Sequence, residues 1–307
     1  MNGQPLPKEV DAAVIGAGPA GMAAALTLSR ALQRTLVLDR TTTYRNRDSA
    51  GIGAVLGRDG LMPDDLRGLG RQEIEAYGYA RFHDEGLAAI TGKQAEGFLL
   101  ETETGEKLRA KAVLLACGMV DIFPEVPGLS SFWGSSIINC PFCHGFELRG
   151  LPWGIFVDRP EMLAAAEIYE TWTSDLIFFL QPGQELTPER EAELRQRGYG
   201  LERRPVHRFA GDDTGLQAVV LEDGSEIARN GLVLWPRQRQ TDLVTSLGLP
   251  LDEQGCVTVD EGFRTALPGI YAAGDLLYLG HQNVNTAIHM GNLAASTLVF
   301  DLAQGAR

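Results

Sequence analysis

Two cysteines separated by two residues are the strongest chemical feature of the sequence. They lie in the run Asn139-Cys140-Pro141-Phe142-Cys143-His144-Gly145. Two thiols at this spacing can close a small disulfide ring that accepts or gives two electrons. The neighbouring S–H group, often helped by a helix N-terminus, lowers the pKa of one thiol in such a pair. His144 follows at once and could shuttle a proton near neutral pH.

Two other interpretations of this pair are a half zinc site and two unpaired buried cysteines. A zinc site needs two further ligands at short spacing. The remaining cysteines, Cys117 and Cys256, stand alone in the sequence, and there is no second Cys-x-x-Cys. Redox chemistry is therefore the favoured interpretation.

A glycine-rich turn near the N-terminus predicts a nucleotide site. An apolar strand at 10–15 leads into Gly16-Ala17-Gly18-Pro19-Ala20-Gly21, a helical run at 22–32 follows, and a strand at 35–38 ends in Asp39. The first glycine allows the tight turn, the second lets a pyrophosphate approach the backbone, and the third lets the helix pack on the strand. Helix N–H groups then face the phosphates, and Asp39 can accept hydrogen bonds from ribose hydroxyls. This context predicts dinucleotide binding.

The following region alternates irregular and strand-like segments. Residues 44–70 are rich in glycine and charge and are interpreted as an excursion beside the nucleotide. A helix is predicted at 71–78, with strands at 80–82, 97–102, 107–109 and 112–116. The last strand ends in Cys117-Gly118, where Cys117 is expected to pack near the cofactor rather than react.

A second α/β unit is predicted from residue 152 to about 239. Its first strand, 153–157, is followed by Asp158-Arg159-Pro160-Glu161 without any glycine. The two carboxylates would repel a pyrophosphate, and the proline removes a backbone donor. The next strand, 175–180, ends in Gln181-Pro182-Gly183-Gln184-Glu185, which lacks the basic cluster that would hold a 2′-phosphate. The sequence therefore predicts a nucleotide-binding fold that has lost its ligand site.

The C-terminal part is predicted to return to the first domain near residue 240. Before it, 188–208 form a charged helix and strand, either a solvated face or a docking patch for an acidic redox partner. Strands are predicted at 215–221 and 227–234, and Cys256 is expected to be structural. Gly269-Ile270-Tyr271-Ala272-Ala273-Gly274-Asp275 can point Asp275 at a ribityl or phosphate group. The helix after Gln282-Asn283 can aim its positive end at a flavin ring and continues as a core helix at 285–303.

Composition excludes several classes of protein. The 307 residues are 44% hydrophobic, are sufficient for two domains, and carry a net charge of −13, which argues against nucleic-acid binding. No apolar run is long enough to span a membrane, and the first residues lack a signal-peptide core. Four cysteines do not make a secreted disulfide scaffold, so a cytoplasmic protein is expected.

Taken together, these motifs resemble the low-molecular-weight thioredoxin reductases. The matching segments are the loop at 16–21, Ala116-Cys117-Gly118, Cys140-x-x-Cys143 and the run at 269–275. The resemblance implies an α/β protein with two Rossmann-like three-layer domains. An FAD domain (1–120 and 241–307) would be interrupted by a smaller, NADPH-like domain (121–240) that carries the disulfide. It also implies a homodimer with the disulfide beside the flavin.

The resemblance also implies individual roles. Cys143 would interact with the flavin, Cys140 would attack the substrate disulfide, and His144 stands where the family usually has an acid-base Asp. The residues that would bind FAD are Gly16, Gly18, Pro19, Ala20, Gly21, Asp39, Arg40, Asn46, Gly118, Gly274, Asp275, His281, Gln282 and Asn283. No metal site is expected.

The sequence departs from the family in its second domain. The pyridine-nucleotide motif is missing from 158–185, and Cys-Pro-Phe-Cys-His-Gly and Tyr44-Arg45-Asn46-Arg47 look closer to two divergent branches. One branch contains pyridine-nucleotide-independent thioredoxin reductases, and the other contains gliotoxin-type dithiol oxidases.

Three functions follow from this resemblance. The first is reduction of thioredoxin or a similar disulfide protein without NADPH, with electrons from a donor such as a ferredoxin-like protein. The second is oxidation of a small-molecule dithiol, with oxygen as the final acceptor. Thiol–flavin exchange is reversible, so the motif does not choose between these directions. The third is a flavin-binding redox sensor.

Overall fold

The structure is a computed structural model that describes residues 6–41, 44–164 and 166–305. The chain divides into two compact units. The first unit comprises Met1–Arg47, Pro63–Asp121 and Gln238–Arg307, and the second comprises Asp48–Met62 and Ile122–Arg237.

Seventeen strands and eight α-helices are found among the described residues. The strands are β1 (Glu9–Ile15), β2 (Thr35–Leu38), β3 (Ala80–His83), β4 (Leu87–Lys93), β5 (Gly97–Thr102), β6 (Lys107–Leu115), β7 (Val120–Ile122), β8 (Ile137–Ile138), β9 (Trp153–Val157), β10 (Leu176–Leu180), β11 (Gly200–Glu202), β12 (Val206–Asp212), β13 (Gly215–Leu221), β14 (Glu226–Ala228), β15 (Gly231–Val233), β16 (Arg237–Arg239) and β17 (Ile270–Ala272). The helices are α1 (Pro19–Arg30), α2 (Pro63–Glu75), α3 (Leu129–Phe132), α4 (Pro141–His144), α5 (Glu161–Ala164), α6 (Pro188–Gln196), α7 (Asp242–Ser246) and α8 (Val284–Ala303).

The first unit is built on a seven-stranded sheet. Strands β3, β2, β1 and β6 run parallel in that order, β17 adds to β6 in parallel, and β5 and β4 continue the sheet antiparallel. All four residues of β2 and the last four of β1 are buried. Apart from Thr35 they are apolar, as expected for strands that are covered on both faces. Helices α1 and α8 pack closely, since a Cβ atom on Gly291 would lie 2.0 Å from the Ala20 carbonyl oxygen.

The second unit repeats the same architecture. Its five-stranded sheet has the order β11-β10-β9-β15-β8, and every pairing in it is parallel. Trp153, Phe178 and Tyr169 are among its fully buried side chains. A three-stranded antiparallel sheet, β12-β13-β14, belongs to the same unit. The predicted α/β class with two Rossmann-like domains is confirmed.

Several predicted elements are wrong in detail. The helix predicted at 71–78 begins at Pro63, where a proline and two acidic residues open its first turn. Strands 107–109 and 112–116 are one continuous strand, β6, while β4 was missed. The strand predicted at 227–234 is divided between two sheets as β14 and β15.

The segment at 44–70, interpreted as irregular, is divided between the two units. Residues 48–62, interpreted as an excursion of the first domain, belong to the second unit. No helix in the described ranges has the length and apolar character needed to cross a membrane.

Candidate active site

The two cysteines of the Cys-x-x-Cys form a disulfide in the second unit. Cys140 precedes α4, and its carbonyl oxygen accepts hydrogen bonds from the N–H groups of Cys143 and His144, both at 3.1 Å. Pro141 occupies the first helical position, where its missing N–H costs nothing. This turn brings the Cα atoms of the cysteines to 5.3 Å, within the range that a disulfide requires. Among the described residues, neither cysteine joins a cluster of metal-ligand side chains.

His144 is held by residues of the segment 48–62. Its Nε2 atom lies 2.8 Å from Ser49 Oγ and 3.0 Å from the carbonyl oxygen of Gly51. Two residues further on, a Cβ atom on Gly53 would lie 1.8 Å from the Cys143 carbonyl oxygen, so only glycine permits this approach. The segment therefore packs directly on the disulfide turn. Ser49 could not be identified from the sequence, because an irregular segment carries no periodic signal for its partners.

Aromatic side chains border the disulfide turn. Phe142, inside the Cys-x-x-Cys, is 65% exposed and packs edge-on against Trp172, with ring centres 5.4 Å apart. Trp172 in turn stacks on the buried Trp153. Phe146 is 67% exposed. Apolar surface of this kind beside a reactive disulfide is suited to contact with a partner molecule.

In the first unit, the glycine-rich loop has the geometry of a phosphate-binding turn. Gly16 has φ +104°, and a Cβ atom there would lie 2.5 Å from the Ala116 carbonyl oxygen. A Cβ atom on Gly21 would lie 1.8 Å from the Gly16 carbonyl oxygen, so this glycine lets α1 pack on the turn. At Gly18, by contrast, nothing lies within 4 Å of the Cβ position. The loop therefore leaves space at the glycine that a pyrophosphate would approach, and the residues fit a dinucleotide.

Asp39, at the end of β2, is oriented by two donors. One carboxylate oxygen accepts the Ala17 N–H at 2.8 Å, and the other accepts from the Arg67 guanidinium. Arg67 also donates to the Ala17 carbonyl oxygen at 2.7 Å and lies over the ring of Tyr44. Asp39 is thus fixed beside the loop. Arg67 was not identified from the sequence, since it lies in the part of α2 that was interpreted as irregular.

Asp275, predicted to point at a ribityl or phosphate group, belongs to a polar network around Arg45. The Arg45 guanidinium donates to Asp121 at 2.9 Å, to Asp275 at 2.8 Å and to Gln282 at 2.6 Å. Gln282 also donates to Gln238. Burial raises the pKa of the Asp275 carboxyl, although the Arg45 charge acts in the opposite direction. The structure therefore brings two predicted residues, Asp275 and Gln282, to one guanidinium that the prediction omitted.

The other predicted cofactor residues lie in more varied surroundings. Arg40 is exposed and pairs with Glu103, and Asn46 and His281 are exposed. Asn283 caps α8 through a hydrogen bond from the Thr286 N–H at 2.9 Å. The remaining residues of the set lie at turns or at the start of α1: Pro19, Ala20, Gly118 (φ +63°) and Gly274 (φ +89°). Their contacts with FAD stay predictions.

The two cysteines outside the disulfide are in protected positions. Cys117 is partly buried, lies 3.6 Å from Thr241 Oγ1, and has a thiol pKa that burial raises. Cys256 is fully buried, and burial also raises its pKa. Raised thiol pKa values reduce the thiolate fraction on which reactivity depends. Beside Cys256, an isolated antiparallel bridge joins Leu251 and Val257.

The turn after β9, which corresponds to the nucleotide loop of the first unit, is filled by its own side chains. Arg159 donates to the Asp158 carboxylate at 2.9 Å and to the Trp235 carbonyl oxygen. The Gln184 side chain, from the loop after β10, donates to the Asp158 carbonyl oxygen at 2.8 Å. Helix α5, which begins at Glu161, has four residues, whereas α1 has twelve.

A cavity of about 480 Å³ lies beside this turn, and its charged lining is mixed. It includes the carboxylates of Glu167 and Glu185 and the guanidinium of Arg190. Arg190 pairs with Glu167 and Glu193 and donates to the Leu163 carbonyl oxygen. Its charge is therefore already compensated by carboxylates of the chain.

Comparison with known proteins assigns the class that this fold and site define. The chain belongs to the family described as pyridine nucleotide-disulphide oxidoreductase, whose model matches residues 10–159 and 179–291. It is thus an FAD-binding oxidoreductase of the thioredoxin reductase type.

Individual relatives align with most of the chain. Thioredoxin reductase sirT of Leptosphaeria maculans is 32% identical, over 88% of this chain and 87% of the relative. Thioredoxin reductase tcpT of Claviceps purpurea is 31% identical, over 93% and 92%. The crystal structure of a putative thioredoxin reductase TrxB from Bacillus anthracis superposes with a TM-score of 0.91 at 29% identity, covering 97% of this chain and all of that one. The predicted resemblance to thioredoxin reductases is confirmed.

Proposed function

We propose that this protein exchanges electrons between FAD and a protein disulfide through Cys140 and Cys143, without using NADPH or NADH. The observation that carries the proposal is the closed turn after β9. There Asp158, Arg159 and Gln184 hydrogen-bond to one another or to nearby backbone. The glycine-rich loop of the first unit serves as an internal comparison, because it has the same topological place and keeps the space at Gly18.

Electrostatics support the same proposal. A dinucleotide pyrophosphate carries two negative charges, and at the turn after β9 it would meet the carboxylate of Glu161, whereas the charge of Asp158 is compensated by Arg159 and Arg237. Two like charges about 4 Å apart repel by roughly 1 kcal/mol in water and about 4 kcal/mol near a protein surface. The four-residue α5 also has a smaller dipole than the twelve-residue α1, so it offsets this repulsion less.

The cysteines perform the exchange with the partner. The Cys140 thiolate attacks one sulfur of the partner disulfide, so that a Cys140–partner bond forms and the other partner sulfur leaves as a thiolate and takes up a proton. The Cys143 thiolate then attacks Cys140 Sγ, which releases the second partner thiol and re-forms the Cys140–Cys143 disulfide. Bound FAD supplies the electron pair that reopens this disulfide.

The proposed partner is thioredoxin or a similar disulfide protein, because the relatives sirT and tcpT carry the name thioredoxin reductase. The exposed Phe142 and Phe146 beside the disulfide would contact it. The proposed electron donor is a ferredoxin-like protein, and we expect the protein to act as a homodimer.

An anaerobic titration tests the proposal. The purified holoprotein is titrated with NADPH, then NADH, then a dithiol, while the flavin absorbance is followed. We expect bleaching by the dithiol and none by either nicotinamide. Prompt bleaching by NADPH would overturn the proposal. Repeated turnover with a small dithiol and oxygen, without activity on thioredoxin, would show that the same residues work as a dithiol oxidase.

A further inference from the structure

We propose that the Ser49 hydroxyl and the Gly51 carbonyl form a cradle that holds His144 in one tautomer and leaves its Nδ1 atom as the base for the Cys140 thiol. Ser49 is then a positioning residue. This inference deepens the proposed function and rests on the cysteine exchange described there, but its tests do not require a nicotinamide, a partner protein or flavin turnover.

The hydrogen bonds around Ser49 determine which ring nitrogen carries the proton. Ser49 Oγ lies 2.7 Å from the Gly51 carbonyl oxygen, which can only accept, so the hydroxyl hydrogen is directed there. The hydroxyl therefore accepts from His144 Nε2 at 2.8 Å, and the Gly51 carbonyl oxygen accepts from the same nitrogen at 3.0 Å. Two acceptors at Nε2 require an N–H group there. In the neutral ring, Nδ1 is then the unprotonated nitrogen.

The second ring nitrogen lies in an unusual position. His144 Nδ1 is shielded from solvent and has no hydrogen-bond partner among the described residues. Most buried polar atoms are hydrogen-bonded, and an unpartnered one calls for an explanation. His144 lies on the same turn as the disulfide, and its backbone N–H donates to the Cys140 carbonyl oxygen. A buried lone pair on this turn is suited to accept a thiol proton when the disulfide is reduced.

The proton transfer balances within the exchange reaction. The Cys140 S–H gives its proton to His144 Nδ1, which forms an imidazolium with N–H groups at both nitrogens. The resulting thiolate attacks the partner disulfide, so one S–S bond forms and one breaks. The departing partner thiolate takes the proton back from Nδ1. No net charge or electron is left on His144.

The cradle contains no carboxylate, which distinguishes it from a carboxylate–histidine pair. Among the described residues, His144 forms no ion pair, and its Nε2 partners are a hydroxyl and a carbonyl group. The charged residues nearest in sequence are Arg47, Asp48, Arg58 and Asp59 around Ser49 and Gly51, and Glu147 and Arg149 after His144. Asp59 accepts the Ala54 N–H, so one of these carboxylates is already engaged within its own segment.

The tautomer is measured directly by ¹⁵N NMR of the histidine rings above neutral pH. The chain has five histidines, and the His144→Ala variant identifies the signal of His144. We expect an unprotonated Nδ1 and a protonated Nε2 in the wild-type protein. A protonated Nδ1 would overturn the proposal without bearing on the use of NADPH.

The effect on the thiol is measured by the alkylation rate of Cys140 in the reduced Cys143→Ser background, where Cys140 is the reactive thiol of the pair. We expect Ser49→Ala to lower this rate about tenfold near pH 7 and to shift its pH profile toward that of His144→Ala. Ser49→Thr keeps the hydroxyl and should restore both. Equal rates and profiles in Ser49→Ala and its parent would contradict a positioning role.

Discussion

The two cysteines share one turn but are expected to differ in role. Cys143→Ser leaves Cys140 able to attack a partner disulfide and removes the thiol that would resolve the intermediate. We expect this variant to accumulate a stable mixed disulfide with thioredoxin, visible as a mass increase on non-reducing gels. Cys140→Ser should trap none and should keep its flavin. If Cys140→Ser trapped the partner and Cys143→Ser did not, the two roles would be reversed.

Substitutions at Gly18 and Gly21 test cofactor binding and folding separately. An alanine at Gly18 meets no atom within 4 Å and has an ordinary φ of −72°, so Gly18→Ala should fold with a stability change below about 1 kcal/mol. Its methyl group would enter the space that the pyrophosphate needs, and we expect at least a tenfold loss of FAD affinity. Both quantities are measurable, by denaturation of the apoprotein and by the ratio of flavin to protein absorbance.

Gly21→Ala is the matched comparison. Its methyl group would lie 1.8 Å from the Gly16 carbonyl oxygen, which is backbone and cannot rotate away. We expect this variant to lose several kcal/mol of apoprotein stability, about the cost of a severe clash in a core. If Gly18→Ala lost as much stability as Gly21→Ala, the loop would not have open space at Gly18 for a cofactor to occupy.

The Arg45 network connects distant parts of the first unit. Arg45 and Asp275 are 230 residues apart in the chain, and their side chains are only 15% and 23% exposed. Replacing Arg45 with Met leaves the carboxylates of Asp121 and Asp275 without their common cation. Breaking a buried ion pair in this way costs about 3 to 5 kcal/mol. The exposed pair Lys107–Glu101 is the control, and Lys107→Met should cost less than about 1 kcal/mol.

The Arg45→Met variant should also respond to pH. The pKa of Asp275 is raised by burial in the folded protein, so the folded state holds this proton more tightly than the unfolded state. Loss of Arg45 removes the charge that lowers this pKa and raises it further. The folded variant is therefore favoured as pH falls. We expect the destabilisation, measured by urea denaturation, to be largest at pH 8 and to shrink toward pH 5; an increase toward pH 5 would contradict this account.

The elements that could be predicted from the sequence are those whose partners lie close in the chain. The glycine-rich run at 16–21 joins β1 to the first turn of α1, and β9 was predicted with its exact bounds. Helix α2 carried an available signal, because Pro63 and the acidic residues after it mark an N-terminus.

The contacts of Ser49 and Gly51 with His144 could not be predicted in the same way. Ser49 is 95 residues from His144 and lies in an irregular segment, where side-chain periodicity does not reveal burial. The same holds for Arg45, whose neighbours in the sequence give no indication that it is surrounded by carboxylates. In physical terms, long-range polar contacts depend on the folded position of a loop, which local propensity does not encode.

The two parallel sheets of this chain differ in the turn at which a dinucleotide would bind. Both place a turn at the carboxyl end of a central strand, where ligands of such sheets bind. Both turns contain a proline, but one has three glycines and a twelve-residue helix, whereas the other has no glycine, two carboxylates and a four-residue helix. The core of the second unit is formed by its own side chains, with Trp153 and Phe178 fully buried. This unit could therefore keep its fold without a nucleotide, as the proposed loss of its nucleotide site requires.

This difference predicts the response of the whole protein to ligands. A ligand that binds only the folded state stabilises it by RT ln(1 + [L]/Kd), or about 2.7 kcal/mol at one hundred times Kd. FAD added to the apoprotein should therefore raise the unfolding temperature by several degrees. NADPH at millimolar concentration should leave it unchanged in both the apoprotein and the holoprotein. Gly18→Ala should lose the FAD shift, which shows that the shift reports the first unit. A clear NADPH shift that survives in Gly18→Ala would reveal a working second site, and the proposed independence from pyridine nucleotides would be wrong.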